Sequence, residues 1–474
     1  MPTTVLTGRR AGALLPLSCL SGALGREGRA FVDWLAGAGF SVWQFLPVGP
    51  PGPDGSPYWT RSDSAGSPAL LDREEMPALG TPEHRSFLES ARSWLGDYAA
   101  FEAISRLHGG APWWSWPAEH RDRDPRTLEQ VRREQAEPIR EIEAQQFAFA
   151  WQWRRLREHA RSRGVLLCGD LPFYVAPSSA ETWAHRGEFQ LDATGRPRAV
   201  AGVPPDYFSP LGQLWGNPLY DWDAMVRNAF AFWRNRLRCQ LERVDLLRLD
   251  HFRALAAHWA VPADAPDARS GEWKRTPGWA LLRTILGNLG DLPLVAEDLG
   301  VITPDVEDLR RAFGLPGMRV LQFGFDGSSD NPHLPHMHER DCVVYTGTHD
   351  NDTTAGWYAS LDADTARRVD FYLGLGTDAQ RASSRGAGTD AQLPSSVGPG
   401  ADATSAALVR SALASVSALA MIPVQDILAL GSGARFNTPA TTQGNWLWRL
   451  PVGSLTPELA GHYLHLNRVY GRAR

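Results

Sequence analysis

The sequence predicts an α/β fold, a (β/α)8 (TIM) barrel with helical and loop insertions over its C-terminal face, and three observations point to it. Eight apolar runs of strand length recur along the 474 residues, at 12–17, 40–46, 165–171, 244–249, 292–296, 318–325, 342–345 and 419–424. They are continuous rather than alternating, which is how strands covered on both faces read. Helix-compatible stretches separate them, and that alternation builds a parallel sheet whose eight units close into a barrel.

The first run follows Arg9-Arg10, and the apolar stretch 11–23 superficially resembles a secretory or twin-Arg leader. Pro16 and Cys19 interrupt it and it is too short to cross a bilayer, so it is read as the first strand. A long gap follows the second run and holds the aromatic cluster Trp113, Trp114, Trp116 and a charged helical stretch over 121–163. After the third run, 176–222 is rich in Gly, Pro and aromatics and too long for a simple βα connection. Both segments, about 50–163 and 176–222, are expected to rise as insertions over one face of a single catalytic domain spanning 1–474. The stretch 376–405, dense in Gly, Ser, Ala, Thr and Asp without apolar period, is expected to be a flexible loop.

Charge excludes several functions. With 48 Lys+Arg against 53 Asp+Glu the net charge is −5, and no long like-charge block occurs, so neither nucleic acid nor a membrane surface is expected as partner. Composition is that of a packed globular chain, 43% apolar and 21% charged, and no apolar run is long enough to span a bilayer. Cys19, Cys168, Cys239 and Cys342 lie far apart with no C-x-x-C pair, which fits a reducing compartment and neither a zinc ribbon nor a disulfide framework. His333, His336 and His338 form an H-x-x-H-x-H cluster, but no acid or Cys is spaced to complete a metal site, and Gly-rich phosphate motifs are absent. The 19 Trp supply broad apolar faces of the kind that stack on sugar rings.

Barrel enzymes carry their chemistry at the C-terminal ends of the strands. Five of the apolar runs end on acids: Asp170; Asp250-His251; Glu297-Asp298; His349-Asp350; Gln425-Asp426. One such Asp is commonly the N-cap of the next helix, yet eight strand ends surround a single opening. Several carboxylates with aromatics and no metal spacing point to glycoside chemistry. Arg248 and Asp250, two apart on one strand, project to the same side, and a guanidinium beside a carboxylate keeps it ionised, which suits a nucleophile. A general acid needs a raised pKa. Glu297 and Asp298 both qualify, and they point in opposite directions.

The segments Trp43-Gln44-Phe45-Leu46-Pro47, Ser56-Pro57-Tyr58, Gly169-Asp170-Leu171-Pro172-Phe173, Val203-Pro204-Pro205-Asp206-Tyr207-Phe208, Gly212-Gln213-Leu214-Trp215-Gly216-Asn217-Pro218, Arg248-Leu249-Asp250-His251-Phe252-Arg253, Ala296-Glu297-Asp298-Leu299-Gly300, 345–354 and Gly444-Asn445-Trp446 resemble the 4-α-glucanotransferases. These are the amylomaltases or disproportionating enzymes of glycoside hydrolase family 77, within the α-amylase superfamily. The likeness runs from about Arg10 to the C-terminus. It implies a cofactor-independent, retaining transfer of α-1,4-glucan segments from a maltodextrin donor to the 4-hydroxyl of glucose or another glucan, through a covalent glycosyl-enzyme. It assigns Asp250 as nucleophile, Glu297 as acid/base and Asp350 as transition-state stabiliser, with the first two carboxyl groups roughly 5–5.5 Å apart. It places Ser56, Tyr58, Asp170, Asp206, Phe208, Trp215, Asn217, Arg248, His349 and Asn445 around the substrate, with no metal.

The turn 18–25 is shorter than the family's equivalent and lacks its usual acid, and Lys274-Arg275-Thr276-Pro277-Gly278 departs from the family's Lys-Gly-Pro-Gly. An α-glucan hydrolase with the same three acids, or a non-catalytic glucan-binding protein, are the alternatives. A cytoplasmic enzyme, monomeric or a weak homo-oligomer, is expected.

Overall fold

The computed structural model describes residues 6, 8–205, 209–375, 399–441 and 443–473. Each of the eight apolar runs contributes a parallel strand to one sheet: β1 (Arg10–Leu14), β2 (Val42–Gln44), β3 (Leu166–Leu171), β6 (Leu246–Leu249), β9 (Leu294–Ala296), β10 (Gly317–Val320), β11 (Cys342–Tyr345) and β12 (Leu419–Pro423). Their order is β10-β11-β12-β1-β2-β3-β6-β9. The Ala296 N–H donates to the Pro316 carbonyl at 2.9 Å and joins the two end strands, so the sheet curls into a barrel. Only the start of the stretch 11–23 lies in strand β1, paired on both sides by β2 and β12, and Leu17–Cys19 is a 3-10 helix. Strand β10 is shorter than the run that predicted it, because Leu321–Phe323 turns into a 3-10 helix.

Side chains alternate about each strand. Leu14, Val42, Cys168, Leu246, Val295, Met318, Val320, Val343, Tyr345, Leu419 and Met421 pack together inside the barrel, while Ala13, Trp43, Leu167, Leu247, Leu249, Ala296, Val344 and Ile422 join the larger core between strands and helices. Gly12 shares the inward parity, and a Cβ there would lie 2.9 Å from Val42 Cβ on the neighbouring strand and 2.7 Å from Met421 Cε, so a larger residue would crowd both.

Between β2 and β3 lie helices Pro82–Ser90, Leu95–Leu107, Pro125–Glu134 and Ala136–Ser162, so the expected single helical stretch over 121–163 is divided. Trp113 and Trp116 are buried in this helical layer, with their indole N–H groups donating to Pro177 O and Ala111 O. They are core residues of the insertion rather than an open sugar platform.

A second sheet was not evident from the sequence. Strands β4 (Ala199–Val203) and β5 (Gln213–Pro218) from 176–222 form an antiparallel sheet with β7 (Ala257–Pro262) and β8 (Glu272–Arg275), which follow β6, in the order β5-β4-β7-β8, with β4 paired to β7. Of the stretch expected to be loose, 376–398 lies outside the described residues, and Pro399–Ala414 is a helix whose start falls inside the expected loop. Among the described residues no helix is long and apolar enough to cross a membrane.

Candidate active site

The parallel ladder places the acids. Asp170 on β3 is directly opposite Arg248 on β6, and Arg248 is opposite Val295 on β9. Hydrogen bonding continues past the strand ends: Asp250 N–H donates to Leu171 O at 3.0 Å, and Glu297 N–H donates to Leu249 O at 3.1 Å. Asp170, Arg248, Asp250 and Glu297 therefore follow the inward parity of Cys168, Leu246 and Val295 and line the mouth of the barrel.

Arg248 holds this layer together. Its Nη1 donates to both oxygens of Asp170 at 2.7 Å, and its Nη2 donates to Asp250 Oδ1 at 2.8 Å. The Tyr58 hydroxyl donates to Asp170 Oδ2 at 2.5 Å. Burial pushes the Asp170 carboxyl upward, but the guanidinium opposes it and is itself held well above its ordinary value by the two aspartates. Burial next to Asp170 likewise raises the Tyr58 phenol, so it stays protonated and donates.

Glu297 lies in a contrasting environment. Its Oε2 accepts the His251 amide N–H at 2.7 Å and its Oε1 accepts the Leu299 amide N–H at 2.9 Å. Burial and the neighbouring Asp250 charge raise its pKa to about 7, against the opposing pull of Arg248 and the two amides. Asp298 has the opposite parity. It leaves the lumen, accepts the Met318 N–H at 2.6 Å and pairs with Arg310 and Arg319 at 3.2 and 3.4 Å. Of the two neighbouring acids, Glu297 is thus the one that faces the lumen beside Asp250.

Asp350 follows β11 across the opening. Asn437 Nδ2 donates to its Oδ1 at 2.7 Å, His349 Nε2 lies 3.4 Å from its Oδ2, and Arg435 Nη2 donates to its backbone carbonyl at 2.6 Å. The Tyr58 and His349 rings stack at 5.1 Å, and Trp446 closes against both at 6.2 Å. Tyr58 thus links Asp170, through its hydroxyl, to the ring of His349 beside Asp350.

Other residues singled out from the sequence have different surroundings. Trp215 packs edge-on to His251 at 4.7 Å and donates from its indole to Gln213 Oε1. Ser56 Oγ accepts the Tyr58 N–H, the Asn217 amide donates to Val175 O, and Asn445 binds Thr438 and Thr441 of its own loop. Their visible contacts shape the loops that carry Tyr58, Trp215 and Trp446. Asp206 and Phe208 lie outside the described residues. Asp426 does not reach the rim. It is buried and binds the Thr346 and Thr354 hydroxyls and the Thr354 amide, so four of the five acid-bearing strand ends serve the opening.

The three histidines of the H-x-x-H-x-H cluster have separate partners: His333 accepts from Val320 N, His336 meets Tyr372, and His338 meets Ser415. Among the described residues no group of three or more His, Cys, Asp or Glu is arranged to hold a metal ion. Asn437 and Arg435 went unnoticed in the sequence, since a short polar loop far along the chain gives no signal that it will meet Asp350.

Comparison with known proteins decides the family. The glycoside hydrolase family 77 model, described as 4-alpha-glucanotransferase, matches residues 15–83 and 76–456. The chain belongs to the 4-alpha-glucanotransferase family. It is 42% identical over 482 residues to the 4-alpha-glucanotransferase of Thermus thermophilus, covering 92% of this chain and 93% of that protein. It is 38% identical over 500 residues to that of Synechocystis, covering 95% and 94%. The amylomaltase of Streptococcus agalactiae, solved in complex with acarbose, superposes with a TM-score of 0.88 at 29% identity, covering 98% of this chain and 100% of that one. The barrel expected from eight apolar runs is thus the fold of an amylomaltase.

Proposed function

We propose that this 4-alpha-glucanotransferase acts by a retaining double displacement in which Asp250 is the nucleophile, Glu297 the acid/base and Asp350 the carboxylate that grips the distorted sugar. The observation that carries this is the contrast between two neighbouring carboxyl groups. Arg248 Nη2 donates to Asp250 Oδ1, while burial and the neighbouring Asp250 charge raise Glu297 to about 7 and keep it protonated up to about neutral pH. Environments that divide two carboxyls this way assign acid and nucleophile.

In the first step Glu297 protonates the glycosidic oxygen as Asp250 attacks the anomeric carbon. Arg248 occupies Oδ1, which leaves Oδ2 to form the ester. In the second step Glu297, now ionised, takes the proton of an acceptor 4-hydroxyl, which displaces Asp250 and restores the α-configuration. The donor is a maltodextrin and the acceptor glucose or another glucan. Tyr58, Trp215 and Trp446 offer aromatic walls that a sugar ring covers and water does not. The same reading makes this a cytoplasmic enzyme of glucan metabolism with no nucleic-acid, membrane or cofactor requirement.

Incubation with maltotriose tests transfer against hydrolysis. Transfer gives glucose plus a ladder of longer maltodextrins, whereas products no longer than maltose would favour a hydrolase. The acid step also sets a pH dependence. Glu297 must carry its proton to donate it, so kcat/KM is expected to hold below about pH 7 and to fall roughly tenfold per unit above. An aryl α-maltoside, whose leaving group needs no proton, should lose that alkaline limb for the glycosylation step. Persistence of the limb would assign it to another group.

A further inference from the structure

The residue after the nucleophile has an unusual backbone. His251 has φ 49° and ψ 48°, the left-handed region that residues with a Cβ seldom occupy. This turn aims the peptide N–H that joins Asp250 to His251 at Glu297 Oε2, 2.7 Å away. The next amide, Phe252 N–H, donates to the Glu297 carbonyl at 3.1 Å. The turn that carries the nucleophile therefore donates two successive backbone amides to the residue that carries the acid, one to its side-chain carboxyl and one to its main-chain carbonyl.

The imidazole is wedged. It meets the edge of Trp215 at 4.7 Å and lies 6.2 Å from Tyr174, and its Nε2 is buried with no hydrogen-bond partner among the described residues. Both neighbours are themselves anchored. Asn217, two residues from Trp215, donates to Val175 O, and Arg236 donates to the Pro172, Phe173 and Tyr174 carbonyls while paired with Asp63. The second sheet thus reaches the catalytic rim through this ring.

We propose that His251 is a positioning residue: its left-handed turn, held by its ring between Trp215 and Tyr174, fixes the amide that sets the Glu297 carboxyl against Asp250. The proposal rests on the roles given above to those two acids. An orphaned ring nitrogen and a strained backbone at one residue are otherwise two unrelated costs; here the ring contacts hold the backbone that aims the amide.

The test compares substitutions by their tolerance of positive φ. Asn and Gly accept it, and β-branched Val resists it. H251N and H251G, which accept the turn but lose the ring contacts that hold it, are expected to lose about fivefold in kcat on maltotriose. H251V is expected to lose about 10²-fold in kcat, the scale of an ångström misplacement, with KM little changed. Its alkaline limb should also move to higher pH, because an amide that favours the carboxylate has been withdrawn. The charged groups facing Glu297 are Asp250 and Arg248, both retained, and His251 is uncharged at these pH values because burial lowers its pKa to about 4.

Equal kcat and pH profiles for H251V and H251N would overturn the proposal. If H251V does not fold, H251A carries the test: a smaller loss with the same limb shift supports the proposal, and parental values overturn it. E297Q separates the two levels. Full transfer by E297Q would remove the assigned roles and this inference with them, whereas an inactive E297Q beside indistinguishable H251V and H251N would remove only the role of His251.

Discussion

Replacing Asp250 by Asn is expected to lower disproportionation of maltotriose by on the order of 10⁴-fold or more, because a neutral amide cannot form the glycosyl ester on which both half-reactions depend. The side chain is partly exposed at the pocket mouth, and Arg248 retains its bidentate partner Asp170, so the fold should survive. Thermal unfolding measured beside the kinetics should therefore show a small change against a near-total loss of rate. An Asp250→Asn enzyme with more than a tenth of parental activity would remove this carboxylate from the covalent step. The result also bears on the alternatives: a hydrolase would lose its rate equally, while a non-catalytic glucan binder would have had none to lose.

Arg248 should show the largest combined effect on stability and rate. Its guanidinium is buried and engages Asp170, whose side chain is 0% exposed, and Asp250. Arg248→Met leaves Asp170 as a buried acid with only the Tyr58 hydroxyl donating to it. Losing one partner of a buried pair costs about 3–5 kcal/mol, which urea unfolding would register as a lower midpoint. Activity should fall with it, since the hydrogen bond that orients Asp250 is lost. Arg248→Lys should recover part of the stability and little of the rate. One ammonium cannot donate to both oxygens of Asp170 and to Asp250 in the fixed planar arrangement a guanidinium provides. Parental stability in Arg248→Met would mean that this ion triad does not brace the barrel mouth.

The site shows why some residues were legible and others were not. Arg248 and Asp250 could be paired from spacing alone, because residues two apart on a strand must share a side, and they are bonded at 2.8 Å. Glu297 and Asp298 could not be separated in the same way. Strand β9 reads Leu-Val-Ala and is apolar on both faces, so its sequence carries no mark of which parity faces the lumen. Asp426 looked like a fifth rim acid for the same reason, and the Thr346 and Thr354 hydroxyls engage it instead. The family resemblance supplied the assignment of Glu297 where periodicity was silent.

The number of barrel strands, their parallel direction and the gathering of acids at their ends were written in local pattern, because a strand buried on both faces must be apolar throughout and its polar residues collect where it ends. What tertiary structure alone decided was everything that depends on two distant segments meeting. The pairing of β4 with β7, the approach of Asn437 and Arg435 to Asp350, and the wedge of Trp215 on His251 are of this kind. Such contacts arise from barrel closure and the packing of insertions upon it, and a short Gly- or Pro-containing strand or a polar loop has no periodicity by which to announce its partner.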